Sequence, residues 1–343
     1  MSFISDSSQK RRIPPLIFDR KSALELLSGH EYGYTPPFSG TVSGEIVRTE
    51  PIGGGVREHA VVSFDTPSGT FSFPLVLSSP AGENRVPHCL FIFLNFSPDI
   101  PDKYYPEERI VREGFAVARI FYSDVSSDSP EADGLAEHFP PLTETSPGKI
   151  GLWAFAASRA LDFCLSLGRK YGGTAVIGHS RLGKTALWCG AQDERFDMVC
   201  SNCSGCSGDA VTRGKRGEHI AQITSTFPFW FCRKYAEYAG NEDALPFDQH
   251  LLLSLAAPRL LAITAATGDE WADPESEYLS CALASEAWER SGKAGFIHPD
   301  RLPFPEEHFT DGNVGFYLRR GIHFLDGADW NFFMHFWRQK HGI

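Results

Sequence analysis

The spacing of hydrophobic residues changes at about residue 89. Before that point, one short helical pattern covers 21–27, and weakly alternating runs predict strands over 58–65 and 71–77. After it, continuous apolar runs alternate with stretches in which apolar residues recur every three or four positions. Continuous apolar runs are typical of strands buried on both faces, as in parallel sheets.

The second part of the chain therefore predicts an alternation of strands and helices. The expected strands cover 89–94, 115–121, 174–177, 198–203, 260–265 and 314–318. The expected helices cover 148–170, 181–191, 249–256, 274–291 and 330–340. This order favours an α/β fold, a three-layer α-β-α sandwich around a mostly parallel twisted sheet. Because no repeat or Pro/Gly/Ser-rich linker interrupts the chain, we expect a polar lead-in over 1–18 and a single domain over 19–343.

Composition excludes several classes of protein. The 343 residues are 42% hydrophobic and 13% aromatic, which excludes intrinsic disorder. The net charge is −11 and the one short basic run lies in the polar lead-in, so we expect no nucleic-acid partner. The longest apolar run, 251–257, is far shorter than the roughly 20 residues of a bilayer span, so we expect no membrane association. The first residues lack the apolar centre of a signal peptide, which predicts a cytoplasmic protein, or a secreted one if the sequence is a trimmed mature form.

The segment 175–184 carries the most informative motif. A predicted strand runs into Gly178-His179-Ser180 and then directly into a helix, which places a serine at the apex of a strand–turn–helix, as in a nucleophile elbow. Such a turn requires a small residue two positions before the serine. Gly183 stands one position later than in the usual G-x-S-x-G pattern. The alternative interpretation is that Ser180 only caps the helix, since serine is a favoured N-cap residue.

Two cations follow this serine and argue against a simple cap. Arg181 and Lys184 lie in the first turn of a helix whose N-terminus already carries about half a positive charge. Their presence indicates that an anion or an oxyanion is bound there. Arg181 is placed to stabilise the oxyanion that forms when a serine attacks a carbonyl, and Lys184 shares a helix face with Ser180.

A nucleophilic serine needs a base and an acid, which α/β-hydrolases supply in the chain order Ser, acid, His. His323 is the best placed of the 12 histidines, because it lies between the last predicted strand and the final helix. The loop after the strand 260–265 offers three carboxylates. Asp269 comes first, at the end of the strand where catalytic loops gather. Glu270 and Asp273 remain alternatives for the acid, although Asp273 is also placed to cap the next helix.

Cys200, Cys203 and Cys206 form a C-x-x-C-x-x-C pattern that is also found in metal clusters. A cluster requires a fourth thiolate at a compatible spacing, and no cysteine occurs over 207–215. We therefore expect no metal, no other cofactor and mostly buried free thiols among the eight cysteines.

Six blocks, in order between about 85 and 340, resemble the bacterial branch of the glucuronoyl esterases (4-O-methyl-glucuronoyl methylesterases). These carbohydrate esterases cleave esters that join 4-O-methyl-glucuronic acid on xylan to lignin alcohols. The blocks are 178–186, 202–208, 213 with 217–218, 245–250, 257–259 and 269–274. The resemblance implies the α/β-hydrolase fold and gives roles to Ser180 as nucleophile, His323 as base, Arg181 as oxyanion stabiliser, and Lys184, Glu218 and Trp271 as contacts to the uronosyl group.

The sequence departs from the fungal branch of that family at one position. The fungal acid is a glutamate where this chain has Cys203. A thiol cannot replace a carboxylate, so Asp269 should be the acid. Without the resemblance, Glu218 would be interpreted as a solvated surface carboxylate and Trp271 as a core aromatic.

Together these features predict a serine carboxylic-ester hydrolase that uses an acyl-enzyme on Ser180. The expected substrate is a glucuronic acid ester, either a xylan–lignin linkage or a smaller uronate ester, and we expect a monomer. An esterase for acetylated sugars or acetylxylan is the alternative enzyme. A catalytically silent carbohydrate-binding relative is the alternative from another class.

Overall fold

The computed structural model describes residues 3–82, 85–100 and 102–343. The strands in this part of the chain form one sheet of ten. The strands are β1 (Val42–Ile52), β2 (Gly55–Thr66), β3 (Gly69–Pro80), β4 (Leu90–Asn95), β5 (Ala116–Phe121), β6 (Thr174–His179), β7 (Met198–Asn202), β8 (Leu260–Ala266), β9 (His308–Phe309) and β10 (Val314–Arg319). Their spatial order is β1-β2-β3-β5-β4-β6-β7-β8-β10-β9.

The sheet has an antiparallel part and a parallel part. Strands β1, β2, β3 and β5 pair antiparallel, whereas β5, β4, β6, β7, β8 and β10 pair parallel. The short β9 pairs antiparallel with β10 at the far edge. The carboxyl ends of the parallel strands consequently meet along one side of the molecule, where ligand sites of such sheets form.

Twelve α-helices within the described residues surround this sheet. They are α1 (Phe3–Lys10), α2 (Arg20–Leu27), α3 (Glu107–Arg112), α4 (Tyr122–Val125), α5 (Leu135–His138), α6 (Lys149–Ser166), α7 (Arg181–Gln192), α8 (Ile220–Thr226), α9 (His250–Ser254), α10 (Pro274–Ala284), α11 (Glu286–Arg290) and α12 (Gly327–His341). No helix among them combines the length and apolar character needed to cross a bilayer.

The core has two halves, one on each face of the sheet. Leu90, Ile92 and Leu94 of β4 face the half that contains α6 and α7, while Phe91 and Phe93 face the half that contains α12. All six residues of β4 are buried, which explains the continuous apolar run in its sequence. The three-layer α/β sandwich predicted from the sequence is confirmed.

Several elements differ from their predicted form. β1 is absent from the prediction because most of its residues are exposed. It pairs with β2, and its Val42 and Ile46 are partly buried against the core. The predicted helix 274–291 is interrupted at Ser285, whose Oγ accepts the Phe296 N–H at 2.8 Å. Part of the predicted lead-in forms α1, and Arg11 behind it donates to the Ser276 hydroxyl at 2.6 Å.

Candidate active site

Ser180 lies at the turn between β6 and α7. Its backbone has φ 57° and ψ −126°, a strained conformation that aims the side chain out of the turn. A Cβ on Gly178 would approach the Leu182 carbonyl oxygen to 1.9 Å, so the turn admits only glycine there. The Ser180 hydroxyl makes no capping hydrogen bond to α7. It is free to bond outside the helix.

The structure brings Ser180, His323 and Asp269 together. The Ser180 Oγ lies 2.9 Å from His323 Nε2, and His323 Nδ1 lies 2.6 Å from Asp269 Oδ2. A carboxylate only accepts, so Nδ1 carries the proton and Nε2 is left to accept from the serine. These residues follow β6, β10 and β8, whose carboxyl ends lie at the same edge of the sheet, with β7 between β6 and β8.

Asp269 is the one carboxylate of its loop that contacts the imidazole. It is 3% exposed. Burial acts to raise its pKa, but the hydrogen bonds from His323, from the Ala272 N–H and from Cys203 outweigh burial and leave the pKa below the usual value. Glu270 is exposed and lines a surface cavity of about 550 Å³. Asp273 instead accepts hydrogen bonds at the start of α10.

A buried ion pair holds the loop that carries His323. Arg319 donates to the Ile322 carbonyl at 2.9 Å and to the Phe324 carbonyl, on either side of the histidine. Its Nε also donates to Asp329 Oδ2 at 2.9 Å. Burial raises the pKa of Asp329 to about 6, even though the charge of Arg319 acts to lower it. Sequence reasoning missed this pair, because no motif links the two residues to the histidine loop.

The neutral ring of His179 packs against the ring of His323. The ring centroids of His179 and His323 are 4.6 Å apart, and His179 Nδ1 lies 2.5 Å from Asn202 Oδ1. Burial, together with the charge of His323, lowers the pKa of His179 to about 3. His179 is therefore uncharged at neutral pH.

Cys203 lies behind Asp269, at a backbone φ of 48°. Its sulfur, with Asp269 and His323, presents three metal-ligand atoms within 4.8 Å of one another. The carboxylate and imidazole already bond each other, and burial raises the pKa of the Cys203 thiol well above its usual value. We therefore interpret the thiol as a hydrogen-bond donor to Asp269 rather than as a metal ligand. All eight cysteines are free and buried.

Arg181 lies among aromatic rings and forms an ion pair with a carboxylate that the sequence did not indicate. Its guanidinium forms an ion pair with Asp128 and lies 4.7 Å from the centroid of the Trp230 ring. Trp230 Nε1 in turn donates to Asp128 Oδ1 at 2.6 Å. Phe96 and Phe227 complete the cage. The buried Nε of Arg181 has no hydrogen-bond partner among the described residues.

The three residues expected to contact the uronosyl group differ in exposure. Trp271 is 55% exposed, so it is a surface aromatic and not a core residue. Glu218 is half-buried, and its N–H donates to the Trp271 carbonyl at 3.0 Å. Lys184 is only 3% exposed, and its ammonium donates to the Ser204 carbonyl. Two of the three side chains are therefore at least partly accessible to a ligand, whereas that of Lys184 is buried.

The profile of a family described as "Glucuronyl esterase, fungi" matches residues 62–292. The chain belongs to the glucuronoyl esterase family. It is 38% identical over 237 residues to the carbohydrate esterase MZ0003 of an unknown prokaryotic organism, covering 67% of this chain and 54% of the relative. It is 27% identical over 287 residues to the 4-O-methyl-glucuronoyl methylesterase of Podospora anserina, covering 78% of this chain and 55% of that one. The chain thus spans about half the length of these relatives.

Solved structures of family members have the same fold. A promiscuous esterase of carbohydrate esterase family 15 from a marine bacterial metagenome superposes with a TM-score of 0.83 at 28% identity, covering 93% of this chain and 90% of the other. The glucuronoyl esterase of Solibacter usitatus gives a TM-score of 0.80 at 29% identity, covering 93% and 91%. The resemblance expected from the six sequence blocks and the α/β-hydrolase fold are both confirmed.

Proposed function

We propose that this protein is a serine esterase that cleaves esters of glucuronic acid or 4-O-methyl-glucuronic acid. The observation that carries the proposal is the hydrogen-bonded series Ser180, His323 and Asp269 in a chain of the glucuronoyl esterase family. The name of the Podospora anserina relative supports the uronate substrate.

In the proposed reaction, Ser180 Oγ attacks the ester carbonyl carbon while His323 Nε2 accepts its proton. Asp269 stabilises the imidazolium that results and holds its orientation. The carbonyl oxygen becomes an oxyanion, and the caged guanidinium of Arg181 stabilises that charge. His323 then gives the proton to the departing alcohol. A water molecule attacks the acyl-enzyme by the same route, which releases the uronic acid and restores Ser180.

Recognition of the sugar is assigned to the half-buried Glu218 and the exposed Trp271. The Glu218 carboxylate is suited to accept hydrogen bonds from sugar hydroxyls, and the Trp271 ring offers a face for stacking. Lys184 is buried and donates to the Ser204 carbonyl, so we assign it an indirect role in binding the sugar.

The proposed function is tested by comparing benzyl D-glucuronate with acetylated xylan and phenyl acetate as substrates of the purified protein. We expect benzyl alcohol release with a kcat/KM that exceeds the value for the acetyl esters, and loss of turnover in Ser180→Ala. A folded protein that cleaves only the acetyl esters would favour the acetyl-sugar esterase. A folded protein inactive on all of them would favour a silent carbohydrate-binding relative.

A further inference from the structure

Lys215 is a buried cation whose donors are all taken by backbone carbonyls. Its side chain is 4% exposed. Its Nζ donates to the carbonyl of Arg216 at 2.5 Å, to that of Glu218 at 2.8 Å and to that of Trp271 at 3.3 Å. No carboxylate forms an ion pair with it within the described residues. Burial of an ammonium without a paired carboxylate costs free energy, which its three hydrogen bonds offset. These bonds also hold the side chain in one position.

These three bonds join two segments that are far apart in the sequence. One segment contains Glu218 and the other contains Trp271. A further bond from the Glu218 N–H to the Trp271 carbonyl links the same pair directly. Gly217, directly before Glu218, has a φ of +72°, and a Cβ there would lie 2.4 Å from the Trp271 carbonyl oxygen. The two backbones are therefore in contact, without room for a side chain.

We propose that Lys215 is a positioning residue for substrate recognition, which ties the segment of Glu218 to the loop of Trp271 and so sets their spacing across the sugar. The inference rests on the proposed function, because both tied residues are the proposed uronosyl contacts. Lys215 itself is too buried to touch a ligand. Asp269 belongs to the same loop as Trp271, but its hydrogen bonds are with His323 at 2.6 Å and with the Ala272 N–H at 3.2 Å, and none is with Lys215. A loosened tether should therefore affect binding of the sugar more than the acyl-transfer chemistry.

The kinetic test compares benzyl D-glucuronate with phenyl acetate, which has no sugar to recognise. In Lys215→Met, the hydrogen bonds that hold the segments of Glu218 and Trp271 together are lost. We therefore expect KM for the glucuronate ester to rise about tenfold or more. The value of kcat/KM for phenyl acetate should change much less. Gly217→Ala should reproduce this pattern by pushing the segments apart without removing the charge. The exposed Lys293→Met is the matched control and should behave as the wild type.

Hydrogen exchange gives a readout that does not depend on uronate activity. Peptides that cover 214–222 and 268–274 should exchange faster in Lys215→Met, with the rest of the chain unchanged. An equal fold-loss of kcat/KM for both esters, or unchanged hydrogen exchange in both peptides, would overturn the inference. A wild type that cleaves phenyl acetate but not the glucuronate ester would instead refute the proposed function and the recognition role with it.

Discussion

Replacing Asp269 with asparagine should disable the imidazole while keeping the shape of the site. In the wild type, Asp269 accepts from His323 Nδ1 at 2.6 Å and from the Ala272 N–H at 3.2 Å. In Asp269→Asn we expect the amide oxygen to keep the Ala272 bond, which turns the NH₂ group towards the imidazole. Nδ1 must then accept, so the proton moves to Nε2. His323 can no longer accept the proton of Ser180.

The size of the effect follows from the loss of the correct tautomer. The same substitution in a serine protease lowers kcat by about 10⁴. At about 1.4 kcal/mol for each factor of ten, this corresponds to roughly 5 kcal/mol of transition-state stabilisation. KM should change little, because Asp269 is 3% exposed and lies behind the imidazole.

The assay is steady-state release of benzyl alcohol from benzyl D-glucuronate at pH 7, with melting temperature as the check on folding. The matched control is Glu270→Gln, the exposed neighbour in the same loop, which should stay within about twofold of the wild type. A folded Asp269→Asn variant that loses less than about tenfold would refute the assignment. So would a Glu270→Gln variant that loses as much.

Three further variants test other charged groups of the protein. Asp128→Asn removes the ion-pair partner of Arg181, and kcat for the glucuronate ester should fall about tenfold with KM nearly constant. Arg319→Met leaves Asp329 buried without its partner, and urea titration should show a loss of about 3 kcal/mol or more in the free energy of unfolding. Burial raises the pKa of Glu31 to about 8, so its stabilising contribution is complete below pH 4.5 and is lost as the pH rises through 8. Melting temperatures of Glu31→Gln should therefore decline less between pH 5 and 8.5 than those of the wild type, and parallel curves would contradict this.

The parallel half of the fold was predictable because its strands are buried on both faces. In β4 every residue is buried, so the hydrophobic pattern itself marks the strand. β1 has no such hydrophobic pattern, because most of its residues are exposed and its pairing with β2 uses backbone hydrogen bonds. The break at Ser285 depends on the N–H of Phe296, eleven residues away. Local pattern contains no information about that contact.

The residues of the candidate site were likewise predictable only in part. Ser180 could be found because a sharp turn between a strand and a helix requires glycine nearby. Asp128 could not be found, since its partners Arg181 and Trp230 reach it from elements distant in the sequence. Lys215 was also missed, because its bonds are to carbonyls, which every residue possesses.

The central claim is that Ser180 forms the acyl-enzyme in a pocket that recognises glucuronate. The most direct measurement is labelling of the purified protein with a fluorophosphonate, followed by peptide mapping, with and without glucuronate. We predict a single adduct on Ser180 that is absent in Ser180→Ala and forms more slowly when glucuronate is present. A folded protein that stays unlabelled, or that carries the label on another residue, would contradict the account.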